Sequence, residues 1–381
     1  MFLGTSPARR YAPAALALLI LLSYQNCSPG FESSNVFTAS GSSVPVPAPA
    51  EPEETTGPIA DAPSDRPSEP QLRDQWVSLK TTLDTPYQTH AVWTGSRMLL
   101  WSGSLGDFRV VNFDPATDTF TRSGATNPPG NIGVYTAIWT GSKMIIWGGF
   151  SLSGTTMAVV NDGAAYDPLT DSWTKISSVG APSPRAYATA IWTGSKMIVW
   201  GGNSYPNFEV KGDGGIYDPK TDSWTTLNSD GAPSPRNAHT AVWTGTGMII
   251  WGGNTYDGTH FSELNDGAVF DPENQSWTQL TQSGNLPHGR SGHVAVWTGS
   301  KMIIWGGSVK DGSGVFPDAY GTTFLSDGWI FDPKTQLWTR MKSGPLSARY
   351  RPASVWTGSE MILIGGLINQ SSLPADGAIY K

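Results

Sequence analysis

One pattern of apolar and polar positions repeats six times along the last four-fifths of the chain. In each copy a short apolar stretch ends in Trp-Thr-Gly. A Met-aliphatic-aliphatic stretch follows and ends at a glycine pair, which the first copy replaces by Ser102-Gly103. After a loop of variable length comes a third apolar stretch, which closes with Asp-Pro in the first five copies. An aromatic residue stands a few positions beyond the Asp-Pro. The Trp-Thr-Gly strings begin at Trp93, Trp139, Trp192, Trp243, Trp297 and Trp356.

The fourth copy shows what this pattern predicts locally. Residues 240–244 form a first strand, and Gly245 supplies the positive φ of a tight hairpin. Met248–Trp251 is a second strand, whose continuous apolar character is typical of a strand covered on both faces. Residues 267–270 are a third strand that ends in an Asp-Pro turn, and 276–280 are a fourth. Each copy therefore predicts a four-stranded antiparallel sheet.

A single sheet of about 50 residues cannot bury both of its faces, so it has to stack on neighbours. Radial stacking of six such sheets predicts an all-β, six-bladed β-propeller. The sixth copy ends at Lys381 after its third strand, while residues 74–79 resemble a fourth strand without a copy of their own. We predict that this N-terminal strand joins the last blade and closes the ring, because closure removes an open sheet edge.

The repeated residues resemble the kelch repeat, in which a glycine pair ends strand two, Tyr/Phe-Asp-Pro closes strand three and Trp stands in strand four. The resemblance covers residues 71–381 and implies a kelch-type propeller. Galactose oxidase, a kelch relative, needs a tyrosine cross-linked to cysteine for its copper chemistry. The only cysteine here, Cys27, lies outside the repeats, which excludes that chemistry. The resemblance predicts the fold but not the function, since kelch propellers range from oxidases to scaffolds.

The first 27 residues have the features of an export signal. Two arginines precede the apolar run 12–22, which is too short for a bilayer span of about 20 residues and fits the core of a signal peptide. Cys27 follows, as in a bacterial lipoprotein signal, although Tyr24 and Asn26 occupy places where that pattern has an aliphatic and a small residue. We expect lipidation of Cys27 and anchoring in a membrane, with Ser28 favouring the outer membrane. The alternative is an ordinary cleavage site with an incidental thiol.

The charge is concentrated between the signal and the repeats. Residues 28–70 are rich in proline, serine and glutamate and hold seven acidic residues and one basic residue, out of a net charge of −7. This composition predicts a disordered linker between a signal peptide (1–27) and the propeller (71–381). The propeller is close to neutral, so it has no field to attract nucleic acid, which we exclude as a partner. We expect a monomer.

Two sets of residues are candidates for a ligand site on the face that carries the variable loops. Four arginines recur seven residues before Trp-Thr-Gly and could hold an anionic ligand bidentately: Arg185, Arg236, Arg290 and Arg349. The alternative is that they pair with the aspartates that begin strand three. Trp329 replaces the alanine or glycine of other copies, and Tyr320 lies in the longest variable loop, 308–326. We predict both at the ligand face.

The sequence shows no catalytic or metal-binding motif, so we predict no metal, no cofactor and no catalytic residue. There is no H-x-x-x-H spacing, nucleophile elbow or P-loop, and His239 and His293 are expected to be core or channel residues. The predicted function is therefore non-enzymatic binding of a protein or glycan through the loop face. One alternative is a carbohydrate-active enzyme of the sialic-acid mutarotase type, with proton transfer by an acid such as Glu209 or Glu263 beside arginines. The other is a structural envelope component.

Overall fold

The structure, a computed structural model, describes residues 72–79, 90–101, 109–130, 132–153, 156–258, 260–310, 322–368, 374 and 376–381. The predicted signal peptide with Cys27, the predicted linker and Tyr320 lie outside the described residues. Within these ranges no helix has the length and apolar character needed to cross a bilayer.

The described residues form 31 β-strands. Those of the first half are β1 (Trp76–Ser78), β2 (Ala91–Trp93), β3 (Met98–Trp101), β4 (Val110–Asp114), β5 (Thr119–Arg122), β6 (Ile132–Gly133), β7 (Thr136–Trp139), β8 (Met144–Trp147), β9 (Phe150–Ser153), β10 (Thr156–Val159), β11 (Gly163–Asp167), β12 (Ser172–Ile176), β13 (Thr189–Trp192), β14 (Met197–Trp200), β15 (Gly214–Asp218) and β16 (Ser223–Thr226). Those of the second half are β17 (Thr240–Trp243), β18 (Met248–Trp251), β19 (Asn254–Tyr256), β20 (Phe261–Glu263), β21 (Gly267–Asp271), β22 (Ser276–Gln279), β23 (Val294–Trp297), β24 (Met302–Trp305), β25 (Ser308–Val309), β26 (Thr323–Phe324), β27 (Gly328–Asp332), β28 (Leu337–Arg340), β29 (Ala353–Trp356), β30 (Met361–Ile364) and β31 (Gly377–Tyr380).

Six four-stranded antiparallel sheets form the body of the protein, and we number them as blades 1 to 6. Their strand orders are β2-β3-β4-β5, β7-β8-β11-β12, β13-β14-β15-β16, β17-β18-β21-β22, β23-β24-β27-β28 and β29-β30-β31-β1. The first strand of each blade contacts the first strands of both neighbours, and blade 6 contacts blade 1 in the same way. The sheets therefore close into a ring around a central channel, and the predicted all-β, six-bladed fold is confirmed.

The second strand of each blade is buried on both faces, as its apolar sequence predicts. In blade 4 all four residues from Met248 to Trp251 are at most 1% exposed. The third strand begins with glycine because the second strand lies so close: a Cβ atom on Gly267 would stand 2.2 Å from the carbonyl oxygen of Ile250. This close approach explains why strand three begins with glycine in blades 2 to 6, where each of these glycines directly follows an aspartate.

The repeated tryptophans pack the blades against one another. The tryptophan that ends strand two meets the strand-four tryptophan of the next blade, with ring centroids 5.1 to 5.4 Å apart; the pairs are Trp101–Trp173, Trp147–Trp224, Trp200–Trp277 and Trp251–Trp338. Each such ring buries a large apolar area. The regular placement of these indoles in the sequence therefore reflects packing between blades.

The N-terminal strand completes the last blade. Strand β1 pairs with β31 in the register Trp76 to Tyr380, which is the register of strands three and four in the other blades. The ring of Trp76 lies 5.1 Å from that of Tyr380 and 6.2 Å from that of Trp305 in blade 5. Trp76 thus takes the place of the strand-four tryptophan, and closure by the N-terminal strand is confirmed.

The turn before β1 also reproduces the turns inside the other blades. Asp74 has φ of 51°, close to the 49° of Asp222 two residues before the blade 3 tryptophan. Its Oδ1 atom accepts hydrogen bonds from the backbone N–H of Lys342 and the hydroxyl of Tyr380, at 3.2 and 3.0 Å. The Oδ1 atom of Asp222 accepts the hydroxyl of Tyr217 and a backbone N–H of the preceding blade in the same manner. The closing strand is therefore held by polar contacts as well as by packing.

Candidate ligand-binding face

The variable loops and the loops that connect successive blades meet on one face of the propeller. The backbone N–H of Gly202 donates to the carbonyl oxygen of Arg236 at 2.9 Å, and that of Gly253 donates to Arg290 at 2.8 Å. Each bond joins the end of strand two in one blade to the connecting loop of the next. We call this side of the ring the loop face; the Trp-Thr-Gly hairpins and Asp-Pro turns lie at the opposite ends of their strands.

The four repeated arginines are buried in ion pairs under the loop face. All four are fully buried. Arg185 donates from Nη1 and Nη2 to the two carboxylate oxygens of Asp213, at 2.9 and 3.0 Å. Arg290 makes the same two bonds to Asp327, at 2.8 and 3.1 Å. The other two pairs are Arg236–Asp266 and Arg349–Asp376.

These arginines also hold the glycine pair in place. The Nη1 atom of each donates to the carbonyl oxygen of the first glycine of its blade, at 3.0 to 3.2 Å, namely Gly201, Gly252, Gly306 and Gly365. A guanidinium has no acceptor and five donors, so a buried one must direct them into the protein. This finding corrects the prediction that the four arginines hold an anionic ligand. The structure shows the alternative, pairing with the strand-three aspartates.

The electrostatics agree with a structural role for these pairs. Burial acts to raise the pKa of Asp213, but the hydrogen bonds and charge of Arg185 outweigh it and lower the pKa below the usual value. Asp327 shows the same balance beside Arg290, with a further hydrogen bond from Trp329. The carboxylates of Asp213 and Asp327 are therefore ionised at neutral pH and remain paired with their arginines.

Trp329 is part of a blade core, which corrects its predicted place at the ligand face. It lies in β27, is 6% exposed, and packs with Val242, Trp251 and Phe331 between blades 4 and 5. Its Nε1 atom donates to Asp327 Oδ2 at 2.7 Å. The indole fills space that alanine or glycine leaves in other blades and adds a donor to the Arg290–Asp327 pair.

The central channel holds a cavity of about 190 Å³ toward the loop face. Its lining comes from the first strands of the blades and the residues just before them. Small residues, mostly alanine and threonine, form most of the wall, and the larger side chains are His90, Tyr187, His239, His293 and Arg351.

The histidines of this lining bridge adjacent blades. His239 Nε2 lies 2.8 Å from Thr189 Oγ1, and His293 Nε2 lies 2.8 Å from Thr240 Oγ1. Burial lowers the pKa of His239 to about 3, and the charge of Arg236 acts in the same direction. These imidazoles are therefore neutral at physiological pH and lie between blades. In the described part of the chain no group of three or more His, Cys, Asp or Glu residues is placed to hold a metal ion.

The described residues that line the cavity do not form an arrangement that would favour proton-transfer chemistry. Among its described lining residues there is one arginine, Arg351, and no carboxylate. Glu209 pairs instead with Lys211 at 2.7 Å, and Glu263 lies in β20, which forms a two-stranded sheet with β19. Neither acid lies beside a pair of arginines in this cavity.

A row of aromatic rings begins on the loops of blades 2 and 3. The ring of Tyr205 lies 5.6 Å from that of Phe208 and 5.7 Å from that of Phe150. Phe150 in turn lies 5.9 Å from Tyr187, at the mouth of the channel. Tyr205 is half-buried, whereas the other three rings are buried beneath it.

The row continues across the channel mouth to the opposite blade. The guanidinium carbon of Arg351 lies 4.5 Å from the centre of the Tyr187 ring and 5.9 Å from that of Tyr350. Tyr350 stacks on Phe324 at 5.9 Å. We call this set the aromatic band; its members are Phe208, Tyr205, Phe150, Tyr187, Arg351, Tyr350 and Phe324. It is the functional candidate that the sequence did not predict.

A backbone conformation that recurs in four blades positions the residues at the centre of the band. Tyr187, Ala238, Gly292 and Arg351 each stand two residues after a buried arginine, and all four have positive φ, between 51 and 60°. Backbone hydrogen bonds of 2.8 to 3.0 Å link each of them to the next. Tyr187 and Arg351 belong to blades 3 and 6, so they meet across the ring. The position two residues after each arginine is the sequence signal that could have found them.

The ring of six four-stranded antiparallel blades, with glycine pairs locked by buried Arg–Asp pairs, defines a six-bladed repeat propeller. The family described as KLHDC2/KLHL20/DRC7 Kelch-repeats domain matches residues 72–232 and 187–378. The chain therefore belongs to the kelch-repeat family.

The curated relatives that are similar to this chain are proteins of different kinds. The chain is 30% identical over 183 residues to tip elongation aberrant protein 1 of Schizosaccharomyces pombe, which is 46% of this chain and 15% of that protein. It is 30% identical over 152 residues to acyl-CoA-binding domain-containing protein 4 of Arabidopsis thaliana, covering 39% and 22%. It is 26% identical over 212 residues to human kelch domain-containing protein 3, covering 53% of each. The chain thus spans from about one-seventh to about half the length of these relatives.

Proposed function

We propose that this protein is a non-enzymatic binding protein whose kelch propeller takes a protein or glycan ligand through its loop face. The observation that carries the proposal is the aromatic band across the channel mouth. Aromatic side chains and arginine dominate the binding energy of protein interfaces, particularly where they are held rigidly. Here Tyr205 and Tyr350 are half-buried and pack against other rings of the band, and the guanidinium of Arg351 lies between the rings of Tyr187 and Tyr350.

Replacing Arg351 by glutamine tests this proposal. The variant removes the cation from the centre of the band, and loss of such an interface residue reduces affinity by about tenfold or more. We expect envelope extracts or a glycan array to yield a ligand of the unmodified protein whose retention falls accordingly with Arg351→Gln.

The matched control is Leu169→Ser, since Leu169 is 92% exposed at an Asp-Pro turn away from the loop face. Retention should be unchanged in this control. A ligand that binds both variants equally would contradict the proposed face, and failure of the unmodified protein to retain any protein or glycan would contradict the proposed function.

The same proposal includes export and anchoring in a bacterial outer membrane, on the periplasmic or surface side. Its support is the sequence alone: an apolar run that fits a signal peptide, followed by a single cysteine and a polar linker. Such an arrangement would hold the loop face away from the membrane.

Changing Cys27 to serine is expected to release the protein into the soluble fraction or to leave the signal uncleaved. Stable anchoring requires more than one acyl chain, as in bacterial lipoproteins, and the chains need the thiol. Cell fractionation with detection of the processed size is the measurement. A Cys27→Ser protein that stays processed and membrane-bound would contradict lipidation.

A further inference from the structure

Three short antiparallel segments lie side by side on the loop face of each of the blades 2 to 5. One residue of each segment pairs with its neighbours in a row of three, and paired residues project their side chains from the same face of a sheet. The middle residue of each row directly follows the glycine pair of its blade. The rows of blades 2, 3, 4 and 5 are Gly133–Phe150–Val159, Ala186–Asn203–Val210, Asn237–Asn254–Glu263 and Ser291–Ser308–Phe324.

The row of blade 4 is polar throughout, whereas the other three rows end in valine or phenylalanine. Asn237 is fully buried and Asn254 is 5% exposed. Among the described residues, no hydrogen-bond partner reaches the Oδ1 atom of either asparagine or the Nδ2 atom of Asn237. A buried amide without partners destabilises a fold, and Glu263 places a carboxylate where the other blades have an apolar side chain. Departures of this kind from the pattern of a fold are expected at functional sites.

Basic and aromatic groups surround the carboxylate of Glu263, which is half-buried. Burial raises the pKa of this group, while the backbone N–H groups of Glu263 and Lys310 and the charge of Lys310 act to lower it. Burial also raises the pKa of the Tyr350 hydroxyl, on which the charges of Arg351 and Glu263 act in opposite directions. The ring of Tyr350 lies nearly parallel to that of Phe324, with centroids 5.9 Å apart, and both rings are half-buried.

We propose that the blade 4 row binds a neutral sugar residue, with a hydroxyl group of the sugar entering between Glu263 and Asn254. A hydroxyl both donates and accepts hydrogen bonds, so it suits two acceptors backed by the amide of Asn237. The charges of Lys310 and Arg351 near the carboxylate disfavour a cationic ligand. The half-buried rings beside the row offer an apolar surface to the C–H groups of a sugar. This inference rests on the proposed function and names the glycan as its ligand.

The test measures sugar binding to the full chain by saturation-transfer NMR. The probes are the methyl glycosides of glucose, galactose, mannose and N-acetylglucosamine, with methyl glucuronide as the acidic counterpart. We expect at least one neutral glycoside to bind saturably and Glu263→Gln to weaken its binding about tenfold, as the loss of a hydrogen bond to a charged group does. Glu209→Gln is the matched control, because Glu209 lies in the loop of blade 3 and pairs with Lys211. This control should bind as the parent protein does.

Replacing Asn254 by leucine separates a binding role from a structural one. Leucine already stands at the equivalent position of blade 6, where Leu367 is 4% exposed. Asn254→Leu should weaken sugar binding about tenfold and leave the melting temperature unchanged or raised, because it removes a buried acceptor that has no partner. A melting temperature lowered by more than roughly 3 °C would assign the amide to the fold and overturn the site.

The remaining outcomes distinguish this inference from the proposed function. Binding of no neutral glycoside, binding of the glucuronide alone, or equal binding by Glu263→Gln and Glu209→Gln would overturn the sugar site. If no sugar binds but an envelope protein is retained in a manner that depends on Arg351, only the sugar site is wrong and the proposed function stands. If neither a sugar nor a protein is retained, both are wrong.

Discussion

Deletion of residues 71–80 is expected to unfold or aggregate the propeller at temperatures where the parent protein is folded. The deletion removes β1, opens the sheet edge of blade 6 and takes the Trp76 ring away from Trp305 and Tyr380. Loss of a packed aromatic ring costs about 3–5 kcal/mol by itself, against a total stability of roughly 5–15 kcal/mol. Thermal unfolding followed by circular dichroism, together with size-exclusion chromatography, measures the effect.

Two controls separate ring closure from a general effect of N-terminal changes. Deletion of residues 28–60, a longer segment within the predicted linker, should leave the melting temperature unchanged. Within β1, Trp76→Ala should reproduce most of the loss, whereas Val77→Thr should be nearly neutral because Val77 is 46% exposed. If the 71–80 deletion melts like the parent protein, closure through β1 does not stabilise the ring.

The closing strand could be predicted from sequence because the repeat itself shows what is missing. Six copies supply six first strands but only five fourth strands, and Asp74-Gln-Trp76 has the spacing of Asp171-Ser-Trp173. The structure shows why the spacing matters, since Asp74 and Asp171 each accept a tyrosine hydroxyl of their own blade and a backbone N–H of the preceding blade. The residues of this strand and the strand missing from the last blade both indicate the same assignment, so comparison of the repeats was sufficient to predict the closing strand.

The function of the arginines could not be decided in this way. The sequence shows that arginine and aspartate recur in the same blades, but the period of a repeat does not report whether a side chain faces solvent or the interior. Arg185 and Asp213 are 28 residues apart, and only the closed blade brings them within 2.9 Å. Their partners, the glycine carbonyl oxygens, are backbone atoms that no side-chain pattern reveals.

The aromatic band could not be predicted from the sequence for a different reason. Tyr187 and Arg351 occupy the same place in two copies, yet the residues between them at this place are alanine and glycine, so no residue type repeats. Their contact spans the ring from blade 3 to blade 6 and exists only when all six blades are present. Because no residue type recurs at this position, comparison of the copies did not show that its side chains meet at the centre of the loop face.

Replacement of Arg290 by methionine is expected to destabilise the protein by about 3 kcal/mol. The change removes the Arg290 donor from the carboxylate of Asp327 and from the carbonyl oxygen of Gly306, while the hydrogen bond from Trp329 to Asp327 remains. Removing one partner of a buried ion pair typically costs about 3–5 kcal/mol, and the lower end applies because the Asp327 side chain is 18% exposed. Urea unfolding of both proteins at pH 7 gives the difference in the free energy of unfolding.

The dependence of this difference on pH identifies the ion pair as its cause. The pKa of Asp327 is lowered in the folded protein, so the pair contributes fully above the unfolded pKa near 3.8, and the contribution is lost as the pH falls through the lowered value. The difference in the free energy of unfolding between the parent protein and Arg290→Met should therefore be constant from pH 7 to about pH 5 and should become smaller below pH 4. Lys334→Met, which removes an exposed cation from the turn after β27, should change the free energy of unfolding by less than about 0.5 kcal/mol. A gap that stays the same down to the lowest pH at which both proteins fold would show that Arg290 acts through packing alone.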